Sequence, residues 1–106
     1  MTSHRDVSID EVKQGLADGS ILLVDVREPH EFAAAHIPGA VNVPLSTFDP
    51  AEIAAQPGQK VVFSCRSGVR SLKAIDAAVT AGFPFDAHYP GGMLGWVGAG
   101  EAVEAG

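Results

Sequence analysis

Two short runs of apolar residues constrain the fold of this chain more than any other feature. Residues 21–26 are Ile-Leu-Leu-Val-Asp-Val, and residues 60–64 are Lys-Val-Val-Phe-Ser. Such continuous runs are typical of strands that are buried on both faces, as in a parallel sheet covered by helices. The two runs therefore predict the central strands of an α/β fold.

Helical patterns alternate with these runs along the chain. Ser8 and Glu11 form a capping-box pattern before a helix whose apolar face holds Ile9, Val12 and Leu16. Further predicted elements are helices at residues 28–35, 49–55, 71–81 and 93–97 and strands at residues 41–43 and 85–89. The predicted inward face of the helix at 71–81 consists of Leu72, Ile75 and Val79. This alternation predicts an α/β fold with a central, mostly parallel sheet of about five strands and helices on both faces.

Length, charge and cysteine count narrow the function. The chain of 106 residues predicts one domain over residues 1–106, with a core at about residues 8–97 and a flexible tail at residues 98–106. The net charge is −6 and no run of Lys or Arg occurs, which argues against nucleic acid and membrane surfaces as partners. A polar N-terminus argues against a secretory signal, and a single cysteine excludes an internal disulfide. These features predict a cytoplasmic protein.

The only cysteine follows the second apolar run. Residues 65–71 are Cys-Arg-Ser-Gly-Val-Arg-Ser, and a helical pattern begins there. Ligand sites of parallel sheets lie beyond the carboxyl ends of the strands, so a site is predicted at this edge. Backbone N–H groups that turn around one point, arginine side chains and the positive end of a helix all stabilise a thiolate or a bound anion. Gly68 permits a positive φ in such a turn.

Local chemistry alone leaves two interpretations of Cys65 open. A lone cysteine after an apolar strand is often a small buried hydrophobic residue without a chemical function. The same cysteine beside Arg66 and Arg70 also fits a reactive thiolate. The choice between them depends on the rest of the chain.

Four segments, in order along the chain, carry a resemblance to a known family. They are residues 23–32 (Leu-Val-Asp-Val-Arg-Glu-Pro-His-Glu-Phe), 36–45 (His-Ile-Pro-Gly-Ala-Val-Asn-Val-Pro-Leu), 65–71 and 91–96 (Gly-Gly-Met-Leu-Gly-Trp). Together they resemble the single-domain rhodaneses, the thiosulfate sulfurtransferase family, and residues 65–71 are similar to the family's active-site loop. The resemblance extends from Ile9 to Trp96 and implies a rhodanese-like fold.

The resemblance also implies roles for the loop. Cys65 is identified as the nucleophile that takes a sulfane sulfur from thiosulfate or a similar donor and holds it as a persulfide. The implied substrate-binding residues are Arg66, Ser67, Gly68, Val69, Arg70 and Ser71. Their N–H groups would hold the terminal sulfur, and the arginines would attract the donor. The implied partners are a small anionic sulfur donor and a cyanide or thiol acceptor, which includes a protein thiol; no cofactor is implied.

Other polar residues are interpreted as structural. The histidines lack the i, i+4 spacing of zinc ligands and have no second cysteine, so no metal site is predicted at His4, His30, His36 or His88. By the same resemblance, Asp25 and Arg27 form a polar brace at a strand end. A carboxylate near a cysteine is also able to act as a base, so a chemical role for Asp25 stays open.

Three other functions stay open. Phosphatases and arsenate reductases of the cell-cycle tyrosine phosphatase type have one residue more than the four between Cys65 and Arg70, and Ser71 stands where their arginine would be. The smaller ring fits a sulfur atom better than a phosphoryl group, so sulfur transfer is favoured. The other two alternatives are a non-catalytic binding or sensing module and a relay of sulfur to a protein acceptor.

Overall fold

The computed structural model describes residues 3–106, which contain one sheet of five strands. The strands are β1 (Arg5–Asp6), β2 (Ile21–Asp25), β3 (Val41–Asn42), β4 (Lys60–Ser64) and β5 (Ala87–His88). Their order across the sheet is β1-β5-β4-β2-β3, and each neighbouring pair is parallel. The predicted α/β fold with a central parallel sheet of five strands is confirmed.

Helices lie on both faces of this sheet, as predicted. They are α1 (Ile9–Asp18), α2 (Pro29–Ala34), α3 (Val69–Thr80) and α4 (Gly92–Gly98). On one face, Val12 of α1 and Trp96 of α4 belong to the same apolar cluster as Leu23. On the other face, Ile75 of α3 packs with Phe63. In the described part of the chain, no helix has the length and apolar character needed to cross a bilayer.

The start of α1 follows the predicted capping pattern with one difference. Ser8 Oγ accepts a hydrogen bond from the backbone N–H of Glu11 at 3.2 Å. The Glu11 carboxylate, however, accepts a bond from Arg5 Nη2 at 2.7 Å. Arg5 and Asp6 form the edge strand β1, which pairs with β5. The sequence does not predict this strand, because two exposed polar residues show no apolar pattern.

The start and the buried face of α3 differ from the prediction. The helix begins at Val69, two residues before the predicted start at 71, because Gly68 completes the turn that precedes it. Its buried residues are Ser71, Ala74, Ile75 and Ala78. The predicted face was wrong at Val79, which is 37% exposed. Three of these four side chains are small, and Ser71 is fully buried among them.

Two other elements are shorter than predicted. The helix predicted at residues 49–55 is reduced to a single 3-10 turn, Pro50–Glu52, after which Ile53 returns to extended backbone. Another 3-10 turn lies at Leu45–Thr47. The strand predicted at residues 85–89 is reduced to Ala87–His88.

A buried ion pair lies at the carboxyl end of β2. Arg27 Nη2 is 2.8 Å from Asp25 Oδ2, and the two side chains are 7% and 5% exposed. Arg27 Nη2 also donates to the carbonyl oxygen of Ala35 at 2.7 Å. Asn42 Nδ2 donates to the carbonyl oxygens of Asp25 and Arg27 at 3.0 and 2.9 Å. The ion pair thus braces β2 against the end of α2, as the resemblance implies, and Asn42 of β3 binds the backbone of the same two residues.

The C-terminal tail contacts two parts of the molecule. Glu104 and His36 form an antiparallel bridge, in which the two backbone N–H groups donate at 2.9 and 3.0 Å. Trp96 Nε1 donates to the carbonyl oxygen of Ala102 at 2.8 Å. These contacts define the path of the tail. Its flexibility concerns motion and stays a prediction.

Arg27→Met tests the brace. We expect it to lower the free energy of unfolding by about 3 to 5 kcal/mol, because the buried Asp25 carboxylate loses its counter-charge. As a control, Arg5→Met removes the same kind of side chain from the Arg5–Glu11 pair, whose side chains are both 46% exposed. This exposed pair should contribute far less to the free energy of unfolding. Urea unfolding of the wild type and both variants measures the difference, and equal losses would contradict a bracing role.

Candidate active site

The carboxyl end of β4 places Cys65 beside the start of α3. Cys65 is 1% exposed and packs in the same apolar cluster as Val26 and Ile75. Between Cys65 and α3 the chain turns at Gly68, which has a φ of 89°. A Cβ at this position would lie 2.8 Å from the carbonyl oxygen of Pro90. Glycine is therefore required here both by the backbone conformation and by the available space.

Hydrogen-bond donors converge on the sulfur of Cys65. The backbone N–H groups of Gly68 and Ser71 point at Sγ, with distances of 3.1 and 3.4 Å, and Ser71 Oγ lies 3.5 Å from Sγ. Burial raises the pKa of the Cys65 thiol, but hydrogen bonds from Ser71 and from the loop backbone lower it more, so the net pKa shift is downward. The positive end of α3 acts in the same direction. The arrangement favours a thiolate.

The six residues predicted to bind substrate fall into two groups. Gly68 and Ser71 are buried and contact Sγ. The side chains of Arg66, Ser67 and Val69 are exposed, and Arg70 is half-buried. The loop is thus a backbone cradle with an exposed outer rim. The assignment of these residues to substrate binding stays a prediction.

Arg70 does not present a free positive charge. Its Nη1 and Nη2 donate to the two carboxylate oxygens of Glu31 in α2 at 2.6 and 3.0 Å. These hydrogen bonds from Arg70 are the main reason why the pKa of Glu31 falls to about 2. Arg66, in contrast, has no ion pair within residues 3–106. The two arginines therefore differ in how strongly they attract an anion. The sequence alone does not predict that Glu31 pairs with Arg70.

The start of α4 closes against the loop. The N–H groups of Met93 and Leu94 donate to the carbonyl oxygens of Cys65 and Arg66 at 2.9 and 3.1 Å. Gly92 has a φ of 57°, and a Cβ there would lie 2.5 Å from both of these carbonyl oxygens. No local sequence pattern indicates a role for Gly92. Its only signal is its position in the fourth family segment, at residues 91–96.

A buried histidine lies behind the loop. His88 of β5 is 2% exposed, and its Nδ1 is 2.7 Å from Ser71 Oγ. Its Nε2 is 3.1 Å from Asp6 Oδ1, and Asp6 lies 82 positions away in the chain. Sequence reasoning missed this network, because the partners lie in separate elements that are far apart in the chain.

The histidines are not as separate as their spacing indicates. Donor atoms of His4, Asp6 and His88 lie within 4.8 Å of one another. Nε2 of His4 and of His88 are both 3.1 Å from the same Asp6 oxygen, so hydrogen bonds account for this cluster. Spacing along the chain does not show that His4 and His88 come together in the fold. The absence of a metal stays a prediction.

Comparison with known proteins places the chain among characterised relatives. The rhodanese-like domain family matches residues 8–99. The thiosulfate:glutathione sulfurtransferase of Saccharomyces cerevisiae is 35% identical over 115 aligned residues, which cover 94% of this chain and 83% of the yeast protein. The human protein of the same name is 32% identical, with 92% and 96% covered. The structure of a human single-domain sulfurtransferase aligns with a TM-score of 0.72 at 34% identity and covers 88% of this chain and 95% of that chain. The predicted family resemblance is confirmed.

Gly92→Ala tests the contact between α4 and the loop. We expect the new Cβ to displace the carbonyl oxygens of Cys65 and Arg66, to lower the free energy of unfolding by about 1 to 3 kcal/mol and to change the alkylation rate of Cys65. Gly98→Ala in the same helix is the control, because a Cβ there meets no atom within 4 Å. Iodoacetamide reports on Cys65 alone, since it is the only cysteine. Equal effects of the two substitutions would contradict the proposed steric role of Gly92.

Proposed function

The chain belongs to the rhodanese-like domain family, and on this basis we propose that it is a sulfurtransferase that carries a sulfane sulfur as a persulfide on Cys65. The observation that carries this proposal is the convergence of the Gly68 and Ser71 N–H groups on Sγ, at 3.1 and 3.4 Å. Converging N–H donors stabilise negative charge on sulfur. The same donors suit both the thiolate that attacks and the persulfide that follows.

In the first proposed step, the Cys65 thiolate attacks the outer sulfur of thiosulfate. A new S–S bond forms to Sγ, the S–S bond of thiosulfate breaks, and its electron pair leaves with sulfite. The charge of the thiolate passes to the terminal sulfur of the persulfide. Because Cys65 is 1% exposed, a donor that projects a single sulfur atom suits the loop better than a bulky one.

In the second proposed step, the thiolate of an acceptor attacks the terminal sulfur. The acceptor gains this sulfur and becomes a persulfide, while the electron pair of the broken S–S bond restores the Cys65 thiolate. Thiosulfate and glutathione are the proposed donor and acceptor because the names of the yeast and human relatives contain both. Cyanide and a protein thiol are alternative acceptors, since both are nucleophiles that attack sulfur. We place the reaction in the cytoplasm, where a single free cysteine stays reduced.

Two rival functions receive less support. A phosphatase of this type needs a loop arginine where this chain has Ser71, and both terminal nitrogens of the preceding Arg70 bind Glu31. A non-catalytic binding module has no need of a thiol whose pKa is lowered by hydrogen bonds, as that of Cys65 is. Both features favour covalent sulfur chemistry.

Mass spectrometry of the intact protein tests the persulfide directly. After incubation with thiosulfate, we expect the protein mass to increase by one sulfur atom, and addition of glutathione should reverse the increase. Cys65→Ser should show no increase, because a hydroxyl is a far weaker nucleophile than a thiolate at neutral pH. An unmodified wild-type protein after incubation with thiosulfate, mercaptopyruvate and a persulfide donor would contradict the proposed function. Hydrolysis of an aryl phosphate that depends on Cys65 would support the phosphatase instead.

Glu31→Gln tests the electrostatic role of the Arg70 partner. Gln keeps the Oε1 that accepts a bond from the Glu28 N–H at 3.1 Å, but it removes the negative charge. We expect the KM for thiosulfate to fall about two- to fivefold, with a smaller change in kcat, because Arg70 then attracts the anion without a counter-charge. Glu52→Gln makes the same charge change in the exposed turn Pro50–Glu52 and should leave KM unchanged. An equal KM in wild type and Glu31→Gln would show that Arg70 does not attract the donor.

A further inference from the structure

A chain of polar contacts leads from Cys65 to the surface. Cys65 Sγ is 3.5 Å from Ser71 Oγ, which is 2.7 Å from His88 Nδ1, and His88 Nε2 is 3.1 Å from Asp6 Oδ1. Ser71 is 0% exposed and His88 is 2% exposed, whereas the side chain of Asp6 is 64% exposed. The contacts therefore connect a buried thiol with a carboxylate in water.

The chemistry of the groups fixes the direction of these hydrogen bonds. An ionised carboxylate only accepts, so the proton on His88 must lie on Nε2 and point at Asp6. Burial lowers the pKa of His88, although Asp6 opposes this shift, so the ring is neutral at neutral pH. The Nδ1 of a neutral ring then accepts, and the Ser71 hydroxyl donates to it. The remaining lone pairs of Ser71 Oγ accept the thiol proton of Cys65.

The direction of the Cys65–Ser71 and Ser71–His88 hydrogen bonds reverses when one proton moves along each of them. The thiol proton passes to Ser71 Oγ while the hydroxyl proton of Ser71 passes to His88 Nδ1. Ser71 is again a neutral hydroxyl, but it now donates to the Cys65 thiolate, and both N–H groups of the His88 imidazolium are bonded. No proton is lost in the exchange, and the Asp6 carboxylate stabilises the new positive charge.

We propose that Ser71, His88 and Asp6 form a proton relay that takes up the thiol proton of Cys65 and holds the resulting thiolate ready for attack. His88 and Asp6 are positioning residues, since they act on the sulfur through Ser71. The proposal deepens the proposed function, because the relay matters for sulfur transfer only if the thiolate is the nucleophile.

Neighbouring charges modulate the relay. The ring of His4 meets that of His88 edge-on, with 5.1 Å between ring centroids. A positive charge on the His4 ring lowers the pKa of His88. Asp6 opposes this effect as the partner of both rings. On the sulfur side, the positive charge of Arg70 favours the thiolate, and Glu31 offsets part of that charge. Asp6 and Arg70 thus favour the imidazolium and thiolate pair, whereas the burial of His88 opposes it.

The pH dependence of Cys65 alkylation tests the relay. His88→Asn places an amide atom near the position of Nδ1, so it keeps a hydrogen bond to Ser71 but cannot take up a proton. Asp6→Asn keeps an oxygen that accepts from Nε2 but removes the charge that stabilises the imidazolium. We expect iodoacetamide to react about three- to tenfold more slowly with both variants at about pH 6, and at the wild-type rate at about pH 9, where the thiol proton is lost to solvent.

Asp10→Asn is the matched control, because it removes the same charge from an exposed position in the first turn of α1. Its alkylation profile should match that of the wild type at each pH. Profiles of His88→Asn and Asp6→Asn that match the wild type, or that are slowed equally at all pH values, would overturn the relay and leave a structural role. Asp6 is exposed, so Asp6→Asn keeps the test valid if His88→Asn fails to fold.

Persulfide formation with thiosulfate separates this proposal from the proposed function. If the relay is wrong but the function is right, His88→Asn and Asp6→Asn gain a sulfur atom as fast as the wild type at about pH 6. If the relay is right, both variants gain it more slowly at this pH and catch up at about pH 9. If the function is wrong, the wild-type protein gains no sulfur, while the alkylation profiles still report on the relay.

Discussion

The parallel pairing of β2 with β4 is the constraint on which the rest of the structure depends. Five residue pairs join the strands, from Ile21 with Lys60 to Asp25 with Ser64. Because the strands run in the same direction, their carboxyl ends share one edge of the sheet. That edge holds the Asp25–Arg27 brace on β2 and Cys65 after β4. Since the brace also binds the end of α2, the strand register contributes to placing Glu31 of α2 beside Arg70.

The parts of the fold that the sequence predicts correctly are those with strong local patterns. Continuous apolar runs predict β2 and β4, and the Ser8 cap predicts the start of α1. The strand β1 has two exposed polar residues and takes its conformation from its partner, so no local pattern defines it, and β5 keeps only two of the five residues predicted for it. The predicted face of α3 is confirmed at Ile75 and wrong at Val79, because three of its four buried residues are small and carry little apolar signal.

The candidate site likewise contains residues that the sequence indicates and residues that only the fold brings together. Cys65 and the loop are contiguous in sequence, so their type and spacing are visible without a structure. Glu31 and His88 act through contacts with the loop, and each comes from a different strand or helix. Nothing in their own sequence neighbourhood indicates these partners. The sequence therefore indicates Cys65 as the reactive residue, but only the fold shows which residues surround its loop and affect its protonation.

The contact between α4 and the loop has an evolutionary consequence. The N–H groups of Met93 and Leu94 bind the carbonyl oxygens of Cys65 and Arg66. The same two oxygens leave no room for a side chain at Gly92. An inserted residue after Cys65 would therefore push the loop against α4. Because Gly92 is already the smallest residue, no substitution there would make room, so a descendant with a wider loop would need α4 itself to move. The position of α4 therefore limits the size of the loop and of the anion that the loop holds.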